Sequence, residues 1–130
     1  MTTKSGINRF NNNGQALVEF AIILPLLMLL VFGIIEFGRF LYLKNSVTNA
    51  AREGARLAAV TKPYDAATVT NYVISLPDMN NATVTAPATA SFGNPVVVIV
   101  SKPFRSVVPD IIPQFKNLTS IRASATMRYE

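Results

Sequence analysis

Glu19 is the side chain whose chemistry fits its surroundings least. It stands near the start of an apolar run in which no charged residue occurs from Phe20 to Ile35. A carboxylate at the edge of a hydrocarbon core costs about 2 kcal/mol or more unless it is paired, protonated or drawn to the interface. Its type alone leaves two readings open. It is either an interfacial residue in the first helical turns, held by water and the positive end of the helix dipole, or a group kept for a contact or a processing event. Other groups capable of chemistry are sparse. Ser101-Lys102 places a hydroxyl beside an amine, and Asp78 and Asp110 are isolated carboxylates. With no base, oxyanion hole or paired carboxylate in view, these read as loop residues. The chain has no cysteine and no histidine, so a disulfide, a thiolate metal site, a thiol nucleophile and the commonest general base are all missing. The expectation is a protein that is not an enzyme and carries no cofactor and no metal.

The element that must position Glu19 is a long helix. Ala16–Val18 together with Phe20–Ile35 supply about twenty mostly apolar residues, enough to cross a bilayer at about 1.5 Å per residue. A polar, basic segment with Lys4, Arg9 and Asn11-Asn12-Asn13 precedes the run and ends at Gly14. Residues 1–14 therefore read as a leader and 15–61 as the helix, which spans the membrane over about 16–36 and continues outside it over 37–61. Pro25 lies inside and removes one backbone donor. Beyond the membrane, Phe37, Phe40, Leu41, Val47, Ala50, Ala51, Gly54, Ala55, Leu57 and Ala58 keep a helical period. Ala50, Gly54 and Ala58 are spaced by four, as are Ala51, Ala55 and Ala59, so two adjacent ridges admit close approach of another element. Arg52, Glu53 and Arg56 then form a charged face, on which Arg52 and Arg56 want an acidic partner. Glu36 and Arg39, three apart, are expected to pair.

Residues 62–130 read as a small head. Lys62-Pro63 stops the helix. Val69, Tyr72, Val73 and Leu76 share a face of a second, short helix over Asp65–Leu76, closed by Pro77, with Asp78–Asn81 as a turn. The period then changes to two. Ala82–Ala86, Pro95–Ser101 and Thr119–Tyr129 read as strands, the last alternating Ile121, Ala123, Ala125, Met127 and Tyr129 against Arg122, Ser124, Thr126 and Arg128. The predicted fold class is α+β: a long N-terminal transmembrane helix extending into a small antiparallel three-stranded sheet domain with one short helix. The sheet turns its apolar face to the helix and its arginines to water. Phe104–Lys116 reads as a long loop that still carries Val107, Val108, Ile111, Ile112 and Phe115, folded back on the sheet or offered to a partner.

The segments Gly14-Gln15-Ala16-Leu17-Val18-Glu19-Phe20-Ala21, Leu24-Pro25-Leu26-Leu27, Gly33-Ile34-Ile35-Glu36-Phe37-Gly38-Arg39 and Ala51-Arg52-Glu53-Gly54-Ala55-Arg56 together resemble the TadE-like family, accessory pseudopilins of bacterial tight-adherence (Flp) pili. The resemblance covers Gly14 to Ala59 and weakly the last dozen residues. It implies a type IV prepilin-like minor pseudopilin, cut by a prepilin peptidase between Gly14 and Gln15. Glu19 would then be the glutamate at the fifth mature position and act in assembly. The partners it implies are the membrane, other pilins and pseudopilins, the peptidase and a pilus assembly platform. The location it implies is the bacterial inner membrane, single-pass, with the N-terminus in the cytoplasm and the head outside it.

The formal charge is +5, and removal of Lys4 and Arg9 with the leader lowers it to +3. These charges are scattered without aromatic interleaving, which argues against nucleic acid as a partner. The bulky residues Glu36–Tyr42 offer no small-x-small cleavage site, so the span is expected to stay attached. Arg39, Lys44 and Arg52 beyond the span outnumber Lys4 and Arg9 before it, so the positive-inside count slightly favours the opposite orientation. The competing function is a single-pass anchored envelope binding module or adhesin subunit, without prepilin processing, in which Gly14 and Glu19 are incidental.

Overall fold

A computed structural model describes residues 12–105 and 120–130, and the chain divides into two units after Ile35. The first helix, α1, runs over Asn12–Val60 with Pro25 inside it. In the first unit its apolar side chains are exposed, Ile22 at 72% and Leu26 at 69%. The most apolar window has a mean hydropathy of 2.7 and none of it is buried by protein, as expected of a helix whose solvent is lipid. The helix begins three residues before the expected Gln15. Nothing there opposes it beyond the conformational freedom of Gly14, about 1 kcal/mol, and the apolar segment behind adds one hydrogen bond per residue fixed. The rest of the expected leader, residues 1–11, lies outside the described residues.

The second unit, Glu36–Glu130, contains the outer part of α1, a second helix α2 over Ala66–Ser75 and three strands: β1 Thr83–Thr85, β2 Pro95–Pro103 and β3 Ser120–Arg128. Pro63 ends α1 by lacking the N–H that would bond the Ala59 carbonyl. That carbonyl accepts from the Glu130 amide instead, at 3.0 Å, which ties the last residue of the chain to the end of the helix. Asp65 caps α2. Its carboxylate accepts from the amides of Ala67 at 3.1 Å and Thr68 at 3.0 Å and from the Thr68 hydroxyl at 2.6 Å, satisfying two of the orphan donors of a helix start.

The sheet is antiparallel in the order β1-β2-β3. Val98 faces Ala125, and Val100 lies between Val84 and Ala123. Val96, Val98 and Val100 are buried, whereas Arg122 and Arg128 on the other face are exposed. Against the valines pack Val47, Ala51, Ala55 and Ala58 of α1 and Val69 and Val73 of α2, all fully buried. Three positions depart from the sequence periods. Met127 is 41% exposed although it opposes the buried Val96. Phe37 and Leu41 are exposed as well: the core packs on α1 from Phe40 and Leu43 onward, Phe37 lies before that stretch, and Leu41 within it faces away. Of the expected apolar loop, Phe104 is buried and Arg105 exposed. Val107, Val108, Ile111, Ile112 and Phe115, with Asp110, lie outside the described residues.

Candidate functional site

The Gly14–Gln15 bond lies in the first turn of α1. A side chain added at Gly14 would meet nothing within 4 Å, so the bond is unobstructed but helical. Backbone amides of a first turn have no intrahelical partner, and opening this turn therefore breaks few hydrogen bonds. Glu19 is exposed and stands four residues after Gln15, on the same side of the helix at about 5–6 Å between Cβ atoms. With the helix starting at Asn12, Glu19 is two turns inside it, and the dipole effect has decayed within the first turn. A helix starting at Gln15 would bring Glu19 to the edge of that range.

The small ridges face the interior of the head. Ala50, Ala51, Ala55 and Ala58 are buried, and Gly54 is buried between α2 and β2. A Cβ at Gly54 would come within 2.6 Å of Val73 Cγ2 and 3.1 Å of Val98 Cγ1. Close approach to this ridge is thus taken up by the chain's own sheet and second helix. On the charged face outside it Arg56 is bonded to Glu53 at 3.0 Å, and nearer the apolar run Arg39 is bonded to Glu36 at 2.9 Å. An open groove between α1 and α2, lined by Glu53, Arg56, Leu57, Val60 and Tyr72, has its charges in that pair.

Two of the groups that could be taken for catalytic ones, Lys102 and Asp78, make contacts within the head. Lys102 donates to the carbonyl oxygens of Asp78 and, at 3.1 Å, Asn80. The Asp78 carboxylate accepts from the Tyr42 hydroxyl, which holds the Tyr42 phenol above its ordinary pKa. Asp78 and Asn81 both adopt positive φ, 62° and 64°, a conformation that short polar side chains tolerate, and the turn they shape buries Met79 completely. At the other end of the head, Tyr64 donates to Pro87 O at 2.8 Å and Tyr129 to Thr61 O at 3.0 Å, their rings edge to face at 5.9 Å. Burial raises the Tyr64 pKa, with the Asp65 charge adding to it. Among the described residues no cluster of acidic side chains could hold a metal ion.

Sequence reasoning missed the Tyr42–Asp78 contact, the burial of Met79 and the Phe40–Phe104 pair, whose ring centroids are 5.7 Å apart. The one available signal was aromatic residues on α1 where the run of small ones gives out. No curated protein and no solved structure matches the chain. The family described as TadE-like protein matches residues 14–56, a stretch that begins at the glycine of the candidate processing bond and ends just beyond Gly54. By that match the long helix, from its apolar start to the turn seated under the sheet, is similar to the TadE-like family.

Proposed function

We propose that this chain is a membrane-anchored minor pseudopilin acting in the assembly of a tight-adherence (Flp, type IVc-like) pilus, processed by a prepilin peptidase after Gly14. The observation that carries the reading is the family match over residues 14–56, which takes in Gly14, Gln15, Glu19 and the apolar helix together. In this reading the helix stays in the inner membrane with its N-terminus in the cytoplasm and the head outside. The peptidase must unwind the first turn of α1 to reach the bond, and the few hydrogen bonds made there keep that cost low. Trimming creates an α-amine at Gln15 with an ordinary pKa near 7.7–8.0. A neighbouring subunit shifted along the helix axis then brings this cation beside Glu19, where each charge relieves the other in a medium of low dielectric.

Helix-to-helix packing between subunits is assigned to the exposed apolar part of α1, because Ala51, Gly54, Ala55 and Ala58 are covered within the head. Mass spectrometry of the membrane-extracted protein tests the reading. The expected mature N-terminus is Gln15, and Gly14→Leu is expected to accumulate the uncut precursor. An intact precursor in cells that assemble pili, or normal trimming of Gly14→Leu, overturns it in favour of an anchored binding module.

A further inference from the structure

Cationic and aromatic side chains gather at the end of the head where α1 enters it. Phe104, at the end of β2, packs on Phe40 of α1, and the Arg39 guanidinium stands 5.9 Å from the centre of the Phe104 ring. The end of β2 is thereby pinned to α1 at the level of Arg39, and Arg105 follows it, exposed. Lys44 is exposed on the next turn of α1. Lys102 is tied to the carbonyl oxygens of Asp78 and Asn80. Among the described residues the carboxylates in this zone are Glu36, bridged to Arg39, and Asp78, bonded by Tyr42, so the cations are in excess.

Distance along the helix sets the level of this collar. The uncharged run ends at Ile35; at about 1.5 Å per residue, Arg39 is about 6 Å and Lys44 about 13 Å further along the axis. The polar headgroup layer is about 5–7 Å thick on each side of the hydrocarbon. Arg39, with Phe104 and Arg105 pinned beside it, is therefore at headgroup depth when the apolar run fills the hydrocarbon, and Lys44, about 6 Å beyond the outer margin of that layer, reaches it only with its extended side chain. Tyr42, 61% exposed, is of the aromatic type that concentrates at this interface.

We propose that this collar, with Arg39, Lys44 and Arg105 as its contacts, binds the phosphate groups of anionic phospholipids and seats the head on the membrane surface. Guanidinium groups grip phosphate oxygens in pairs, and each cation close to an anionic bilayer strengthens association roughly fivefold. The cations that weigh against the positive-inside count then have a use independent of orientation.

The test reconstitutes the full chain in phosphatidylcholine bilayers with a trace of spin-labelled phosphatidylglycerol or spin-labelled phosphatidylcholine, and reads the motionally restricted fraction by electron paramagnetic resonance. The phosphatidylglycerol label is expected to be restricted several-fold more, with the difference lost in molar salt. Arg39→Gln with Arg105→Gln should abolish most of that selectivity, whereas Arg39→Lys with Arg105→Lys should keep it. Lys4→Gln with Arg9→Gln should also keep it, since those residues lie before the span. Equal restriction of both labels by the parent overturns the proposal and assigns the collar to an acidic protein partner. Unchanged selectivity in the double Gln variant, or its loss in the Lys4/Arg9 variant, overturns it equally.

Discussion

Two glycines of the same helix are expected to respond to alanine with opposite signs. In an open helical position, replacing glycine by alanine stabilises by about 0.5–1 kcal/mol, because glycine loses more backbone freedom on folding. Gly38 is such a position, with nothing within 4 Å of the added Cβ. At Gly54 the same methyl would stand 2.6 Å from Val73 Cγ2 and 3.1 Å from Val98 Cγ1. Both valines are fully buried, and a β-branched side chain is stiff at χ1, so neither yields by turning into free space. Overpacking of this kind costs about 1–3 kcal/mol. Set against the backbone gain, Gly54→Ala should destabilise by about 1 kcal/mol, a fall in Tm of about 4–8 °C for a domain of this size. Gly54→Leu should exceed that.

Thermal unfolding of the full chain in detergent, followed by near-ultraviolet circular dichroism of the tyrosines, reads the effect. Trimming Val73 should create room for the methyl, so Gly54→Ala combined with Val73→Ala should be less damaging than the sum of the single changes, with a coupling of about 0.5–2 kcal/mol. A Gly54→Ala variant that melts higher than the parent, as Gly38→Ala should, would refute the close approach of α2 and β2 to the helix.

Glu19→Gln keeps size and hydrogen bonding while removing the charge, so the variant should be trimmed to Gln15 yet fail to co-purify with sheared pili; full incorporation would reduce Glu19 to an interfacial residue. Phe104→Ala removes a buried ring that packs on Phe40 and should destabilise the head by about 3 kcal/mol in the same unfolding assay. The Asp65 carboxyl is held below its usual range first by the Thr68 hydroxyl and then by the amides of Ala67 and Thr68. A lowered folded pKa contributes stability above the ordinary carboxylate range and loses it as pH falls through the lowered value. The Tm of the parent should therefore drop on acidification below about pH 4, and Asp65→Ala should start lower and show a smaller drop.

Local and periodic signals account for the parts of this fold that the chain declares residue by residue. The uncharged run from Phe20 to Ile35 marks a helix long and apolar enough to cross a membrane, and a backbone in lipid must find its hydrogen bonds within the helix. The pairing of Asp65 with Pro77 brackets α2 because capping and proline termination act within a few residues. The alternation of Ile121, Ala123 and Ala125 with Arg122, Ser124 and Thr126 marks β3 and tells which face is dry. The small ridges of α1 leave room for close approach at Gly54, because glycine and alanine at a spacing of four let another element come near the helix backbone.

What approaches it was decided by the tertiary fold. Val73 and Val98 are brought there by a hairpin and a helix whose docking depends on the summed burial of both faces, and no local pattern encodes which of many valines will arrive. The same holds for Met79, carried inward by a turn that Asp78 and Asn81 bend with positive φ, and for the Ala59 carbonyl, whose donor is the amide of Glu130. These partners are far apart in sequence, and closing the chain between them costs entropy that only the completed core offsets. Their pairing is therefore a property of the whole core rather than of any one segment.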